Sequence, residues 1–341
     1  MTRHLITLGI LLSLVGAVVI GTDLVGIRVY DRIVTNMFIL LILVLGLQVF
    51  MGNSGILSFA HIGFMGVGAY VSAMLTIPAQ MRGMALPDLY PVLVSIQLSP
   101  YVGILLGGLV AALVAAVMSY PLMRLSDAAA VITSFALLVV LHTIMLQWSE
   151  VTNGPRTLFG LPKVTDLGLA AMVAGVAIVA TLAFKESRTG ILLRATRDDE
   201  VAAAAMGAHI PNLRWTAFIL SALFAGIGGA LWGHFITSFS PKAFYLKETF
   251  VILGMLVIGG PRTVTGAVVG VFIVTFAFEG LRAFEGMVNG AQIFSEQVVG
   301  VTEIVLALAM IAVLSLRPGG LIATREVGDV LVRRFKSKRG K

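Results

Sequence analysis

Long apolar stretches separated by short polar segments occupy most of the 341-residue chain. The apolar windows run over residues 5–22, 33–50, 56–77, 99–121, 128–148, 167–184, 215–237, 249–282 and 297–316. A helix needs about 20 apolar residues to cross the hydrocarbon core of a bilayer, and each window approaches or exceeds that length. The pattern therefore predicts an all-α polytopic membrane protein.

The window 249–282 decides the number of spans. It is longer than one span, and Pro261 and Arg262 interrupt it in the sequence GGPRT, where both would be costly in mid-membrane. If the window crosses twice or re-enters, the charged segment 185–214 and the C-terminus can both face the cytoplasm. We therefore predict about ten transmembrane helices with both termini cytoplasmic, and the Gly-rich segments are candidates for broken or re-entrant stretches.

The composition agrees with this class, because 58% of the residues are hydrophobic, 12% are charged and none is cysteine. The net charge of +7 comes largely from a basic tail that follows an apolar run. Such a tail is typical of a cytoplasmic, lipid-facing segment rather than of nucleic-acid binding. The predicted organisation is a transmembrane domain over residues 1–322 and a basic cytoplasmic tail over residues 323–341.

The segment 185–214 is charged and helix-forming although it lies between two spans. Asp198 is the predicted N-cap of a short helix, Glu200 adds negative charge to its first turn, and Gly207 provides a left-handed stop. One interpretation is a loop that only sets topology. The other is a docking element, since a rigid capped helix can transmit the movement of a partner to both spans.

Several stretches together resemble the permease subunits of branched-chain amino-acid importers of the ATP-binding-cassette (ABC) class, the LivH/LivM family, and the LivM type in particular. In chain order they are GNSGILSFAHIGFMGVGAY, VTNGPRTLFGLP, the segment SRTGILLRATRDDEVAAAAMGAHIPNLRW, LVIGGPRTVTGAVVG and LRPGGL. The resemblance extends from about residue 35 to 322. Ala60, Asn153 and Ile191 depart from the family pattern, which leaves the particular substrate open.

The resemblance implies a multi-subunit importer in a bacterial inner membrane. This chain would pair with a second permease subunit, with a homologous heterodimer favoured, and would receive substrate from an extracytoplasmic solute-binding protein. Two cytoplasmic ATPase subunits would carry ATP and magnesium, so that this chain itself binds no cofactor. The residues expected to couple to the ATPases are Gly190, Arg194, Arg197, Asp198, Glu200, Ala204 and Gly207.

The Gly-rich stretch after residue 51 has two interpretations. Its small residues, from Gly52 to Ala73, fall on one face of a helix and would let another helix approach closely. Alternatively, GNSG unwinds near mid-membrane to line a polar path, with IGGPRTVTG as its counterpart. A buried His61 bonded to a neighbouring helix is favoured over one in contact with substrate. The candidate path residues are Gly52, Gly55, Ser58, His61, Gly66, Gly259, Gly260 and Gly266.

Motifs for enzymatic chemistry are absent from the sequence. It contains neither a G-x-x-x-x-G-K-[ST] loop nor H-E-x-x-H, so we predict no catalytic residue, no metal site and no ATP hydrolysis by this chain. An ion-coupled secondary transporter is the alternative of a different class, but it would need intramembrane carboxylates. Glu279 is the sole near-candidate, and an i,i+3 ion pair with Arg282 suffices to explain it. A permease of this family for urea or short-chain amides also remains open.

Overall fold

The computed structural model describes residues 2–125, 127–290, 300–317, 319–322 and 326–328. Its α-helices are α1 Thr2–Val25, α2 Arg28–Leu47, α3 His61–Thr76, α4 Ala79–Ala85, α5 Pro91–Val94, α6 Pro100–Ser119, α7 Asp127–Gln147, α8 Ser149–Thr152, α9 Leu167–Glu186, α10 Arg188–Asp198, α11 Glu200–Ala205, α12 Ile210–Ile236, α13 Leu246–Gly259, α14 Val264–Gly290 and α15 Val301–Leu316. A π-helical turn, Gln48–Gly52, extends α2, and two 3-10 turns cover Leu122–Arg124 and Pro241–Ala243. An isolated bridge between Leu158 and Phe239 is the only extended pairing in the described part of the chain, so the all-α prediction is confirmed there.

Seven of these helices are long and apolar enough to cross a membrane. They include α1, α2 with its π-helical turn, α6, α7, α9, α12 and α14. The apolar helices α3 and α15 are shorter, with 16 residues each, and α13 has 14. The described residues thus provide seven candidate membrane spans, whereas the predicted count of about ten is not confirmed and stays a prediction.

Contacts between loops define one end of the bundle, which we call the coupling end because the 185–214 segment lies there. Arg214 at the start of α12 donates a hydrogen bond of 3.1 Å to the carbonyl of Leu125, just before α7. The imidazole of His4 lies 3.3 Å from the carboxylate of Glu186. Residues 326–328 reach the same end, so both described extremities of the chain lie beside the 185–214 segment.

The loops between the other helix ends meet at the opposite end of the bundle. Trp148 after α7 donates to the hydroxyl of Tyr90 over 3.4 Å, and Leu158 pairs with Phe239 through backbone hydrogen bonds of 2.8 and 2.9 Å. A Cβ at Gly160 would lie 3.4 Å from Met81, so the segments 78–98 and 149–166 lie together at this end.

Small residues let three central helices, α3, α6 and α12, approach closely. A Cβ at Gly68 in α3 would overlap the backbone of Gly226 in α12, and one at Gly107 in α6 would lie 2.6 Å from the carbonyl oxygen of Gly68. Close approach of backbones is the usual role of small residues at helix interfaces in membranes. The continuous small-residue helix face predicted from Gly52 to Ala73 is wrong, however, because the helix is interrupted before α3 begins.

The predicted basic tail, 323–341, lies outside the described residues except for 326–328. The first three positions of the apolar window 297–316 also lie outside them.

Candidate functional site

The first feature of the site is a break between α2 and α3. The π-helical turn at the end of α2 is followed by Gly55, whose φ of +77° lies in the left-handed region that favours glycine. From there to Ala60 the chain is not helical, and side chains satisfy part of its backbone. The Ile56 amide donates to the Ser54 hydroxyl (3.2 Å), and the Phe59 amide donates to the Ser134 hydroxyl of α7 (3.1 Å).

His61 marks how far this break reaches into the bundle. Its Nε2–H donates to the carbonyl of Leu43 (2.8 Å), which leaves Nδ1 to accept from the hydroxyl of Ser221 (3.1 Å). The prediction of a buried imidazole bonded to a neighbouring helix is confirmed. Leu43 stands nine residues before Gly52, about 13 Å along a helix. The break therefore extends about 13 Å into the bundle from the coupling end. GNSG itself lies at that end, so the interpretation that placed it near mid-membrane is wrong in this respect.

A second break separates α13 from α14 and divides the ambiguous window 249–282 into two antiparallel helices. Gly260 has a φ of +124°, and the turn that follows carries Pro261 and Arg262 at the coupling end, so neither lies in mid-bundle. A Cβ at Gly259 would overlap the carbonyl oxygen of Gly266, so both glycines are needed for the tight hairpin.

The segment 319–322 clamps this second break. The amides of Leu321 and Ile322 donate to the carbonyls of Ile258 and Gly259, both over 2.9 Å. The hydroxyl of Thr263 returns a hydrogen bond of 3.0 Å to the Ile322 carbonyl. The carbonyls at the C-terminal end of α13, which have no partner within the helix, are thereby satisfied by the segment 319–322.

Glu326 caps the N-terminus of α14. Its carboxylate accepts from the amides of Val264 (2.9 Å) and Thr265 (3.0 Å) and from the Thr265 hydroxyl (2.5 Å), and it forms a buried ion pair with Lys185 of α9. Burial alone would raise the pKa of Glu326. The charge of Lys185 and the hydrogen bonds from Lys185 and Thr265 outweigh burial and hold the pKa below its ordinary value.

Replacing Glu326 with glutamine is expected to lower the free energy of unfolding at neutral pH by about 3 to 5 kcal/mol, because Lys185 would remain buried without its partner. Since the folded pKa of Glu326 is depressed, its contribution is complete above the pKa of the unfolded chain and is lost as pH falls through the folded value. Melting temperatures of the purified protein across pH would check this. The difference in melting temperature between wild type and Glu326→Gln should become smaller at acid pH.

The matched control is Glu186→Gln, which removes an exposed carboxylate one residue from Lys185. Its contact with His4 is a surface pair and contributes roughly 0 to 1 kcal/mol. If Glu326→Gln is as stable as this control at neutral pH, the Glu326–Lys185 pair does not stabilise the fold as proposed.

The two breaks lie against each other at the coupling end. A Cβ at Gly52 would overlap the carbonyl oxygen of Pro261, and the side-chain amide of Gln48 donates to the same oxygen over 3.4 Å. The sequence interpretation paired GNSG with IGGPRTVTG as counterparts, and the structure brings the two segments into direct contact.

The 185–214 segment folds as two short helices, α10 and α11. Ser187 caps α10 by accepting from the Gly190 amide (3.1 Å), and Gly207 has a φ of +85° after α11, which confirms the predicted left-handed stop. The predicted N-cap is wrong by one residue. Asp199 accepts from the Ala202 amide (2.9 Å), because α10 extends through Asp198 and α11 begins at Glu200.

Arg197 joins this segment to the first break. Its Nη1 donates to the carbonyl of Gly52 over 2.7 Å, and a Cβ at Gly55 would lie only 2.6 Å from its Cγ. The remaining side of the guanidinium lies 3.4 Å from the exposed carboxylate of Asp198. Arg197 therefore contacts Gly52 and Gly55, both at the start of the break, a contact that the sequence did not reveal.

The other residues predicted for coupling hold the segment in place or face outward. A Cβ at Gly190 would overlap the carbonyl of Phe184, so α10 packs tightly on the end of α9. Arg194 donates to the Lys185 carbonyl over 2.5 Å; burial lowers the pKa of its guanidinium, and the charge of Glu186 offsets part of that effect. Glu200 forms an ion pair with Arg214, and Ala204 is exposed.

A cavity of about 300 Å³ lies at the coupling end between these elements. It is lined by His4, Lys185, Glu186, Arg194, Arg197, Arg262 and Glu326. Among the described residues, no group of three or more histidine or acidic side chains is placed to hold a metal ion.

A larger cavity of about 560 Å³ lies between α2, α3, α12, α13 and α14 and extends toward the opposite end. Its floor includes Leu43, whose carbonyl bonds His61, and Met65. None of the eight candidate path residues lines it, so their part in a path stays a prediction. Leu43 lies between the two features, since it lines the cavity and its carbonyl accepts the hydrogen bond of His61.

Helices that break beside a cavity are characteristic of membrane transport proteins. The sequence matches the family described as "Branched-chain amino acid transport system / permease component" over residues 29–314, and the chain belongs to this family.

Two curated relatives support the same family. The chain is similar to the high-affinity branched-chain amino acid transport system permease protein LivM of Salmonella typhimurium and to that of Escherichia coli, each at 26% identity over 287 residues. These alignments cover 74% of this chain and 63% of each relative. No solved structure matches the chain.

Proposed function

We propose that this protein is a permease subunit of an ABC importer and forms part of the translocation path for branched-chain or related amino acids. Family membership supports the class of substrate. The observation that carries the mechanism is the bond from Arg197 to the Gly52 carbonyl, since it links the 185–214 segment to the broken end of α2.

The 185–214 segment is the proposed docking site for the ATPase subunits. Its second helix carries exposed apolar side chains in its first turn and directly after its last, with Val201 at 81% and Met206 at 80% exposure. Apolar side chains exposed to this degree on a capped helix are suited to enter a groove of a partner. Closure of two ATPases around ATP and magnesium would move α10 and α11, and Arg197 would transmit that movement to the break. This chain contributes no hydrolysis.

The remaining partners follow from the same assignment. A second, homologous permease subunit would complete the membrane unit, and a solute-binding protein would deliver substrate at the opposite end of the bundle. We place the protein in a bacterial inner membrane among lipids, with the coupling end and both chain termini in the cytoplasm.

Cysteine labelling tests this orientation, because the native chain has no cysteine. Met206→Cys lies at the coupling end and Met84→Cys at the opposite end, and both native side chains are exposed. In spheroplasts, a membrane-impermeant maleimide is expected to label position 84 at once and position 206 only after permeabilisation. The reverse result would invert the proposed orientation, and labelling of both from one side would contradict the arrangement of the helices.

Reconstitution tests the function itself. The permease would be placed in vesicles with the ATPase, permease and binding-protein products of neighbouring genes, and uptake of labelled leucine would be measured. Uptake is expected only with ATP on the ATPase side and with loaded binding protein. Uptake driven by a proton or sodium gradient in the permease alone would favour the ion-coupled alternative, and uptake of urea or short amides in place of leucine would favour the other substrate class.

A further inference from the structure

The larger cavity carries charge at its mouth and apolar side chains at its floor. Five charged residues line it, namely Arg32, Lys247, Glu248, Glu279 and Arg282. Arg32, Lys247 and Glu248 lie in the first turns of α2 and α13. Glu279 and Arg282 lie in the C-terminal half of α14, the half that faces the opposite end of the bundle. The inner lining includes Leu40, Leu43, Met65, Ile252 and Met255.

Two pairs among these charges are already neutralised within the protein. Lys247 lies 2.9 Å from Glu303, and Arg282 lies 3.5 Å from Glu279, as the i,i+3 spacing predicts. Within the described part of the chain, Arg32 has no hydrogen bond or ion pair, and neither does Glu248, although Lys247 and Arg282 lie near enough to influence its carboxylate. The mouth therefore offers one unpaired guanidinium and one unpaired carboxylate.

Polar groups without a partner continue along the cavity wall. The hydroxyl of Thr275 in α14 is buried, at 5% exposure for the residue, and has no hydrogen-bond partner among the described residues. Thr275 and Asn36 both line the cavity between the charged mouth and the apolar floor. A buried hydroxyl without a hydrogen-bond partner destabilises the empty site. A ligand that hydrogen-bonds to this hydroxyl removes that cost, which favours binding.

We propose that this cavity binds the zwitterionic head of an aliphatic amino acid, with Arg32 holding the carboxylate and Glu248 the ammonium. A guanidinium can bind a carboxylate through two parallel hydrogen bonds, and a carboxylate accepts an ammonium through charge-assisted bonds. The aliphatic side chain then points to the floor formed by Leu40, Leu43 and Met255. This assignment rests on the proposed function and specifies how the path recognises its substrate.

The same chemistry discriminates against the other substrate class of this family. Urea and short amides carry no net charge at either end and have little apolar surface. Urea or a short amide would leave both Arg32 and Glu248 without a charged partner. It would also leave the apolar inner part of the cavity empty. The cavity has the volume typical of a small-molecule site, so a complete amino acid is accommodated.

Removal of each charge in the complete reconstituted importer tests the proposal. Arg32→Gln and Glu248→Gln are each expected to reduce the initial rate of leucine uptake by about tenfold or more, since each removes a charge-assisted bond. Arg32→Lys and Glu248→Asp keep the charge and should restore part of that rate. The controls are Arg28→Gln and Asp31→Asn, which make the same charge changes near the same end of α2 without lining the cavity. Both controls should transport as wild type does.

Membrane levels and melting temperatures, measured for all variants, separate a folding defect from a loss of recognition. Restored uptake in the charge-conserving variants, at wild-type melting temperature, is the pattern that a purely structural role would not produce. Wild-type uptake in either glutamine variant would overturn the cavity assignment and leave the proposed function intact. Failure of the wild-type complex to take up any amino acid would overturn both.

Discussion

Replacing Arg197 with glutamine is expected to abolish the stimulation of the partner ATPases by loaded binding protein while the permease still reaches the membrane. The variant loses the charged donor to the Gly52 carbonyl, and hydrogen bonds to charged groups contribute roughly 1.5 to 3 kcal/mol. A change of that size shifts the population of a two-state element by about tenfold to a hundredfold. ATP hydrolysis by the reconstituted complex, with and without loaded binding protein, is the measurement.

Arg188→Gln is the matched control for this prediction. Arg188 lies on the same helix and carries the same charge, but it is exposed and makes no hydrogen bond or ion pair within the described residues. The control should keep normal stimulation. If Arg197→Gln behaves like Arg188→Gln, the 185–214 segment serves topology only and the coupling role is withdrawn.

Replacing Gly52 with alanine is expected to have a second large effect, a loss of uptake by at least about tenfold. A Cβ at this position would overlap the carbonyl oxygen of Pro261, which belongs to the backbone and cannot turn aside as a side chain would. The first break would have to move away from the second. The hydrogen bond from the Gln48 side chain to the Pro261 carbonyl would then also be lost. Small-to-large changes in packed sites typically cost about 1 to 3 kcal/mol.

The control for Gly52→Ala is Gly16→Ala in α1, where a Cβ would meet no atom within 4 Å. Alanine favours helix by up to about 1 kcal/mol over glycine, so this control should be as stable as wild type or slightly more so. Normal uptake in Gly52→Ala, at wild-type membrane level, would show that the contact between the two breaks is not needed for transport.

The apolar windows of the sequence predicted the helices well because the length of a span is fixed by the bilayer. The break in the window 249–282 was also predictable, since Pro261 and Arg262 are costly inside a membrane and the structure places both at the end of the bundle. The left-handed stop at Gly207 followed from the rarity of positive φ in other residues.

Features that depend on long-range packing were not predictable. Arg197 and Gly52 are 145 positions apart, and their contact depends on how the helices bring the 185–214 segment to the end of α2. Asp198 and Asp199 are both good caps, and only the length of α10 decides between them. Arg32 and Glu248 lie at the edges of apolar windows, where a charged residue is ordinary, so the cavity that unites them could not be read from the sequence.

The most direct test of coupling measures how accessible the larger cavity is from the opposite end of the bundle. Leu40→Cys places the only cysteine of the chain in the cavity lining, and its reactivity toward a membrane-impermeant maleimide can be measured in the reconstituted complex with and without trapped ATP. Trapped ATP is expected to change the labelling rate by about tenfold or more when Arg197 is present and to leave it unchanged in the Arg197→Gln background. An equal change in both backgrounds would contradict the claim that Arg197 carries movement from the 185–214 segment to the path.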